Sequence, residues 1–249
     1  MLIQTTCLLS STKNNIFKFK QFEVDQSGCA MKINTDGSIL GALAGGQDPS
    51  RILDIGAGTG VVALMLAQRF QEAQVDAVEI EEVAAATAER NFRGSVFSNR
   101  LKLFPVAFQE FFSINTESRY DLIVSNPPFF LDSLKNPDKN KQTARHTTND
   151  FLEALVKLSA KHLNEDGVLT LILPPSTYLI CRELAEAEGL YLAEQIDIKS
   201  FVDSEVHRKL VSFSFQEQAP SYSTFVIYAS RNQYSGQFVN ALGSFFTIF

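Results

Sequence analysis

Asn126-Pro127-Pro128-Phe129 directly follows the apolar run Tyr120 to Ser125, which reads as a strand. The first proline removes a backbone donor and biases Asn126 toward an extended conformation, so the strand ends there. The Asn126 side chain and the neighbouring carbonyls then point off the sheet edge as acceptors. Taken alone, the four residues read equally as a proline-stiffened turn with an ordinary Asx residue. A second stretch supplies context. In Asp54-Ile55-Gly56-Ala57-Gly58-Thr59-Gly60 the glycines alternate, and a dinucleotide fingerprint would instead need a glycine at position 61, where this chain has Val61. Backbone without Cβ allows a ligand to lie against the turn. Asp54 can receive an ammonium group there, directly or through water. Glu79 closes the next strand and offers two oxygens, which suits a diol. A glycine-rich turn with no ligand is the weaker reading, because strand, loop, helix and acidic residue all occur in order.

The elements that must position these residues are α/β in type. Arg51 to Ile55 is a short buried strand, and the glycine turn leads into an apolar helix, Val61 to Phe70. Val75 to Glu79 is the next strand, followed by an alanine-rich helix from Glu81 to Asn91. Leu101 to Phe104 and Tyr120 to Ser125 are strands three and four. Apolar spacing predicts a helix over 149–163, ended by Asp166-Gly167 before a strand from Val168 to Leu173. A helix from Ser176 to Glu188, a strand from Leu190 to Ile198, and a final strand pair, Leu210 to Gln216 and Ser223 to Ala229, complete the set. The alternation predicts a doubly wound, mostly parallel sheet of seven strands with an antiparallel edge. Before it, Phe17, Phe19, Phe22 and Val24 suggest a bent hairpin, and Asn34-Thr35-Asp36 caps a short helix from Gly37 to Ala44. Residues 1–49 are therefore expected to be a small amino-terminal extension and 50–249 the catalytic domain. The stripe Tyr234, Phe238, Leu242, Phe245 and Phe246 predicts a helical tail docked on the body.

Composition excludes several classes. An apolar share of 45% is that of an ordinary globular core. Three cysteines without CxxC spacing indicate neither a disulfide framework nor a zinc site, and a reducing cytoplasm fits. The start has no basic region ahead of an apolar core, and no run approaches transmembrane length, so neither a secretory signal nor a membrane anchor is expected. A net charge of −6 counts against a general nucleic-acid coat protein but leaves room for a local basic patch. Lys135, Lys139, Lys141 and Arg145 follow the Asn126 turn with only Asp138 among them. They read either as a basic lip for RNA phosphates or as a solvated loop, and His207-Arg208-Lys209 is a second, weaker candidate.

The Asp54 to Gly60 pattern resembles the cofactor loop of the Rossmann-like class I methyltransferases that use S-adenosylmethionine (SAM). That resemblance implies that Asp54, Gly56, Gly58, Gly60, Glu79 and Ile80 bind the cofactor. Such families often carry an aspartate after strand three for the adenine amino group. The corresponding place here is Ala107, a departure that leaves the Phe108 amide and ring to hold the base. Asn126-Pro127-Pro128-Phe129 is similar to the motif of methyltransferases that act on a planar amide or exocyclic amino nitrogen. Such a nitrogen is a poor nucleophile until two acceptors hold its hydrogens. By this resemblance Asn126 Oδ1 and the Pro127 carbonyl are those acceptors, and Phe129 stacks on an extruded base.

A closer resemblance lies in Phe17 to Phe22, Cys29-Ala30-Met31-Lys32-Ile33, Thr35-Asp36-Gly37 and Leu40-Gly41-Ala42. These are similar to the amino-terminal signature of the bacterial valine-tRNA adenine-N6 methyltransferases, which modify the adenine just 3′ of the anticodon. Further agreement runs through Leu64 to Arg69, Asp76 to Glu79, Ala144-Arg145, Thr147-Thr148 and Tyr234-Ser235. It implies a monomeric cytoplasmic enzyme with SAM as cofactor, tRNA as partner and no metal. It also places Lys32 and Thr35 near the cofactor or target pocket, Thr35 as a candidate for the SAM carboxylate or simply a helix cap. Two alternatives stand beside it. Protein glutamine-N5 methyltransferases meet the same delocalised nitrogen, but usually carry a larger helical domain before the cofactor loop. A non-catalytic SAM- or RNA-binding module is suggested only by Ala107.

Overall fold

The computed structural model describes residues 15–45, 48–128 and 141–249, the side chains of 141–148 excepted. Phe17 and Val24 face each other across an antiparallel hairpin, β1 (Ile16–Lys18) and β2 (Glu23–Asp25). Phe19 and Phe22 stack at its bend with centroids 4.3 Å apart. Helix α1 (Thr35–Leu43) starts two residues earlier than the glycine at 37 suggests, because Asn34 is the cap and accepts from the Gly37 amide at 2.8 Å.

Strands and helices then alternate: β3 (Arg51–Ile55), α2 (Val61–Arg69), β4 (Gln74–Val78), α3 (Glu82–Gly94), β5 (Leu101–Phe104), α4 (Phe108–Ile114) and β6 (Tyr120–Ser125). After the undescribed segment come α5 (Lys141–His162), β7 (Leu163–Leu173), α6 (Pro175–Ala187), β8 (Tyr191–Lys199), β9 (Val206–Ser214) and β10 (Ser221–Val226). A small ribbon of β11 (Tyr228–Ser230) and β12 (Gln233–Tyr234) leads into α7 (Gly236–Leu242).

The main sheet has the order β10-β8-β9-β7-β6-β3-β4-β5. It carries eight strands, one more than the expected seven, and Ser221–Val226 forms one edge, paired parallel to β8. Only β9 runs antiparallel, and it lies between β7 and β8 rather than at the edge. Chain order reverses at β3, with β4 and β5 on one side and β6 and β7 on the other. In open α/β sheets, ligands bind outside the carboxyl ends of the strands at such a reversal.

Both faces of the sheet are covered. Successive residues of β3 and β6 serve opposite layers, so their sequences read as continuous apolar runs. Ile52 and Leu122 pack with α1, α2 and the tail, whereas Leu53 and Ile123 pack with α4, α5 and α6. The tail docks as expected, with Phe238, Leu242, Phe245 and Phe246 buried and Phe246 bridging back to Phe19 of the hairpin bend. Its helix is shorter than the stripe suggests, because Gln233 and Tyr234 are spent on the ribbon. No loop separates α5 from β7. Gly167, read from sequence as a terminator, lies inside the strand at a bulge opposite Tyr120–Leu122.

Candidate active site

Ile55 and Ser125 are register partners at the carboxyl ends of β3 and β6, and Ser125 Oγ donates to the Ile55 carbonyl at 2.7 Å. The residues that follow them, Gly56 and Asn126, therefore leave the sheet side by side. They open on one cavity of about 440 Å³, whose lining includes Gly56, Gly58, Glu79, Ile80, Ala107, Phe108, Asn126 and Pro128.

The glycine turn is built as a cradle. Gly56 and Gly58 hold φ of +78° and +57°, and nothing lies within 4 Å of where a Cβ would stand on either. Their backbone faces open space that a side chain would fill, so the turn fits a ligand that lies against main chain. Glu79 fixes its far rim. One carboxylate oxygen accepts from the Gly58 amide at 2.7 Å and the other from the Glu81 amide at 2.8 Å. Glu81 in turn caps α3 by accepting from the amides of Val83 and Ala84. Each Glu79 oxygen keeps a further lone pair for a ligand hydroxyl.

The two remaining residues of the motif lie elsewhere. Gly60 is the amino cap of α2 with φ +80°, and a Cβ there would stand 2.5 Å from the Phe92 ring. Its role is packing. Asp54 is 2% exposed, lies beneath the turn and accepts from the Ala63 amide at 3.2 Å. Burial pushes its carboxyl up to about 7, the Ala63 amide opposes the rise and the Glu79 carboxylate adds to it. Asp54 and Gly60 are not among the cavity's lining residues, and neither is Thr35, which is the first residue of α1.

One end of the cavity is an apolar slot. Ile80, 73% exposed, and Val106 face it with Phe108 and Phe151, whose rings meet edge to face with centroids 5.3 Å apart. Gln109 supplies a polar side chain beside it. Ala107 caps α4 with no side-chain hydrogen bond, so no carboxylate stands at the place where the resemblance would put one. The opposite wall comes from Cys29, Ala30 and Met31 of the amino-terminal arm. Gln109, Phe151 and this wall escaped the sequence reading of the site. In the sequence Phe151 is one apolar position within the helix expected over 149–163, and Cys29 to Met31 belong to a family signature. Lys32, exposed, follows the wall directly.

Pro127 is buried and Asn126 half-buried. Phe129, Lys135 and Lys139 lie outside the described residues, and the backbone of Lys141 and Arg145 belongs to α5 while their side chains lie outside as well. The second basic candidate is engaged within the fold. Arg208 pairs with Asp36 at 2.8 Å and Lys209 with Asp197 at 2.5 Å. Among the described residues no cluster of His, Cys, Asp and Glu is placed to hold a metal ion, and no helix is long and apolar enough to cross a membrane.

Residues 39–179 match the family model described as the methyltransferase small domain. The tRNA1(Val) (adenine(37)-N6)-methyltransferase of Pedobacter heparinus is 45% identical over 235 residues, which cover 94% of this chain and 99% of that protein. The protein of the same name from Haemophilus influenzae is 37% identical, again over 94% and 99%. Among solved structures, a predicted O-methyltransferase from Agrobacterium tumefaciens superposes with a TM-score of 0.66 at 17% identity, covering 84% of this chain and 96% of that one. That likeness establishes the Rossmann-like methyltransferase fold. By these matches the chain belongs to the methyltransferase small-domain family and to the family of the tRNA1(Val) (adenine(37)-N6)-methyltransferases.

Proposed function

We propose that the chain transfers a methyl group from SAM to the exocyclic N6 of an adenine in tRNA, the adenine at position 37 of a valine tRNA named for its relatives. The observation that carries the reading is the Ile55–Ser125 pairing, which brings the glycine turn and Asn126 to the same cavity.

SAM supplies an electrophilic methyl on a sulfonium. The chain's residues do the rest by placement. Gly56 and Gly58 admit the amino-acid part against the turn, and Glu79 accepts the two ribose hydroxyls. Ile80, Val106 and Phe108 would hold the cofactor's adenine in the slot, with the Gln109 amide offering an acceptor in place of the absent carboxylate. Asn126 Oδ1 and the Pro127 carbonyl hold both hydrogens of the target N6, draw the nitrogen toward a tetrahedral form and take up its developing positive charge. Held in this way the nitrogen would face the methyl, so that orientation rather than a strong base supplies most of the rate, and the proton released on transfer passes to solvent. Phe129 is assigned, from its place in the motif, as the platform for the extruded base. Lys32, Lys135, Lys139, Lys141 and Arg145 are assigned to the tRNA backbone, and Thr35 and Asp54 act on the cofactor from a second layer. In this reading residues 1–49 form an arm on a catalytic unit, 50–249, that works as a monomer in the cytoplasm.

The test is incubation with labelled SAM and total tRNA from a strain lacking the activity, followed by mass spectrometry of the nucleosides. N6-methyladenosine at position 37 of valine tRNA is expected. Label on the glutamine of a protein, with none on tRNA, would overturn the assignment.

A further inference from the structure

Asn91 lies on α3, away from the cavity, yet its side chain joins the two pieces that make the cavity's walls. Its Oδ1 accepts from the Asp25 amide at 2.9 Å, and its Nδ2 donates both to the Asp25 carbonyl at 2.9 Å and to the Thr59 carbonyl at 2.8 Å. One amide thus grips both backbone groups of a residue in the arm and one carbonyl of the glycine turn. It is 6% exposed, and its three bonds use both amide hydrogens and the oxygen.

The neighbours of Asn91 repeat the pattern. Thr87 Oγ1 donates to the Ser27 carbonyl at 3.2 Å, and Arg90 lies 3.7 Å from the Asp25 carboxylate and donates to Thr87 Oγ1 at 2.8 Å. Gly28, with φ +77°, approaches so closely that a Cβ would stand 2.7 Å from Val83 of the same helix. The arm segment beyond this contact is pinned at its other end by Gln26 Oε1, which accepts from the Ile33 amide at 2.8 Å. Between those fixed points run Cys29, Ala30 and Met31, the wall of the cavity.

We infer that Asn91 is a positioning residue: it couples the docking of the amino-terminal arm to the conformation of the glycine turn, so that both walls of the cofactor cavity are set together. The inference rests on the reading of the cavity as the SAM site. Asn91 spans three elements, and each of its bonds ends on backbone that leads directly into a cavity wall.

The experiment is a double-mutant cycle read by calorimetric binding of S-adenosylhomocysteine, with thermal unfolding as a control. Asn91→Leu keeps the shape and removes the three bonds. Folded Asn91→Leu should bind about tenfold more weakly, and Met31→Ala, which should weaken binding in the wild type, should have little further effect in that background. Thr87→Val loosens the same contact without leaving the Asn91 bonds broken, and should weaken binding about threefold with the same loss of Met31 sensitivity. The Thr87→Val cycle decides the matter if Asn91→Leu does not fold. Lower thermal stability with unchanged affinity, or additive effects in the cycle, would overturn the coupling while leaving the cavity's assignment intact. A wild-type protein that fails to bind S-adenosylhomocysteine would overturn that assignment, and the inference with it.

Discussion

The Gly58 amide donates to Glu79 Oε2 at 2.7 Å, so the acidic residue proposed to accept the ribose hydroxyls also holds the turn proposed to admit the methionine part. The two halves of the cofactor site are therefore one hydrogen-bonded unit. Glu79→Gln must turn an NH2 group toward the amide of either Gly58 or Glu81, and it also loses an acceptor for the diol. Calorimetric SAM affinity should fall more than tenfold, above about 1.4 kcal/mol. An unchanged affinity would remove Glu79 from ribose recognition.

Asn126→Ala should retain SAM binding, because the cradle and the slot stand without it. Methyl transfer to tRNA should fall by a factor on the order of 10² to 10³, the scale seen when one preorganised polar contact to a developing charge is deleted. Single-turnover assays with labelled SAM separate the two effects, and wild-type turnover would exclude Asn126 from the chemistry.

Asp54 sets a pH dependence of stability. Its folded pKa of about 7 lies above the ordinary carboxylate value of 3.8, so the folded state binds more protons than the unfolded chain between those values. Its contribution is fully present below about pH 4, declines as pH rises toward 7 by at most about 1.4 kcal/mol per unit, and is flat above. Asp54→Asn keeps an acceptor for Ala63 and has no charge to bury. Denaturant titrations from pH 4 to 7 should show a flatter profile for the variant, and parallel profiles would mean that Asp54 does not titrate in that window.

Ala107 and Gln109 make a paired prediction. Ala107→Asp restores a carboxylate beside the slot and should tighten SAM binding in calorimetry. Gln109→Ala should weaken S-adenosylhomocysteine binding several-fold, yet leave unchanged the binding of an analogue whose purine lacks the 6-amino group. Equal losses for both ligands would place Gln109 away from that group.

Neutralising Lys139, Lys141 and Arg145 should weaken tRNA binding and flatten its salt dependence. Each lost phosphate contact lowers the slope of log affinity against log salt by about 0.7 to 0.9. Affinity and slope that match the wild type would reassign these residues to a solvated loop.

Much of this was legible in sequence because the central strands are buried on both faces and their apolar runs are unbroken. The glycine turn and the Asn126 turn each end such a run, so the site's chemistry could be read before its geometry. Strand order could not. The insertion of β9 between β7 and β8 is a matter of pairing partners, which hydrophobic periodicity does not encode. Helix α4 also escaped, since it is only seven residues long and follows closely on a proline. Gly167 misled for a physical reason. A Cβ there would stand 2.8 Å from the Tyr120 carbonyl and 2.9 Å from that of Asn164, so this glycine marks a close approach of backbones and not the end of an element.

The contact between Gly60 and Phe92 bears on how signatures of this kind should be used. A search pattern running from Asp54 to Gly60 treats its three glycines as equal witnesses to a ligand. The first two face the open space of the cavity, while the third reports the size of a neighbour more than thirty positions downstream. A relative with a smaller side chain in the place of Phe92 and an asparagine, which tolerates positive φ, in the place of Gly60 would fail such a search and still bind the same cofactor.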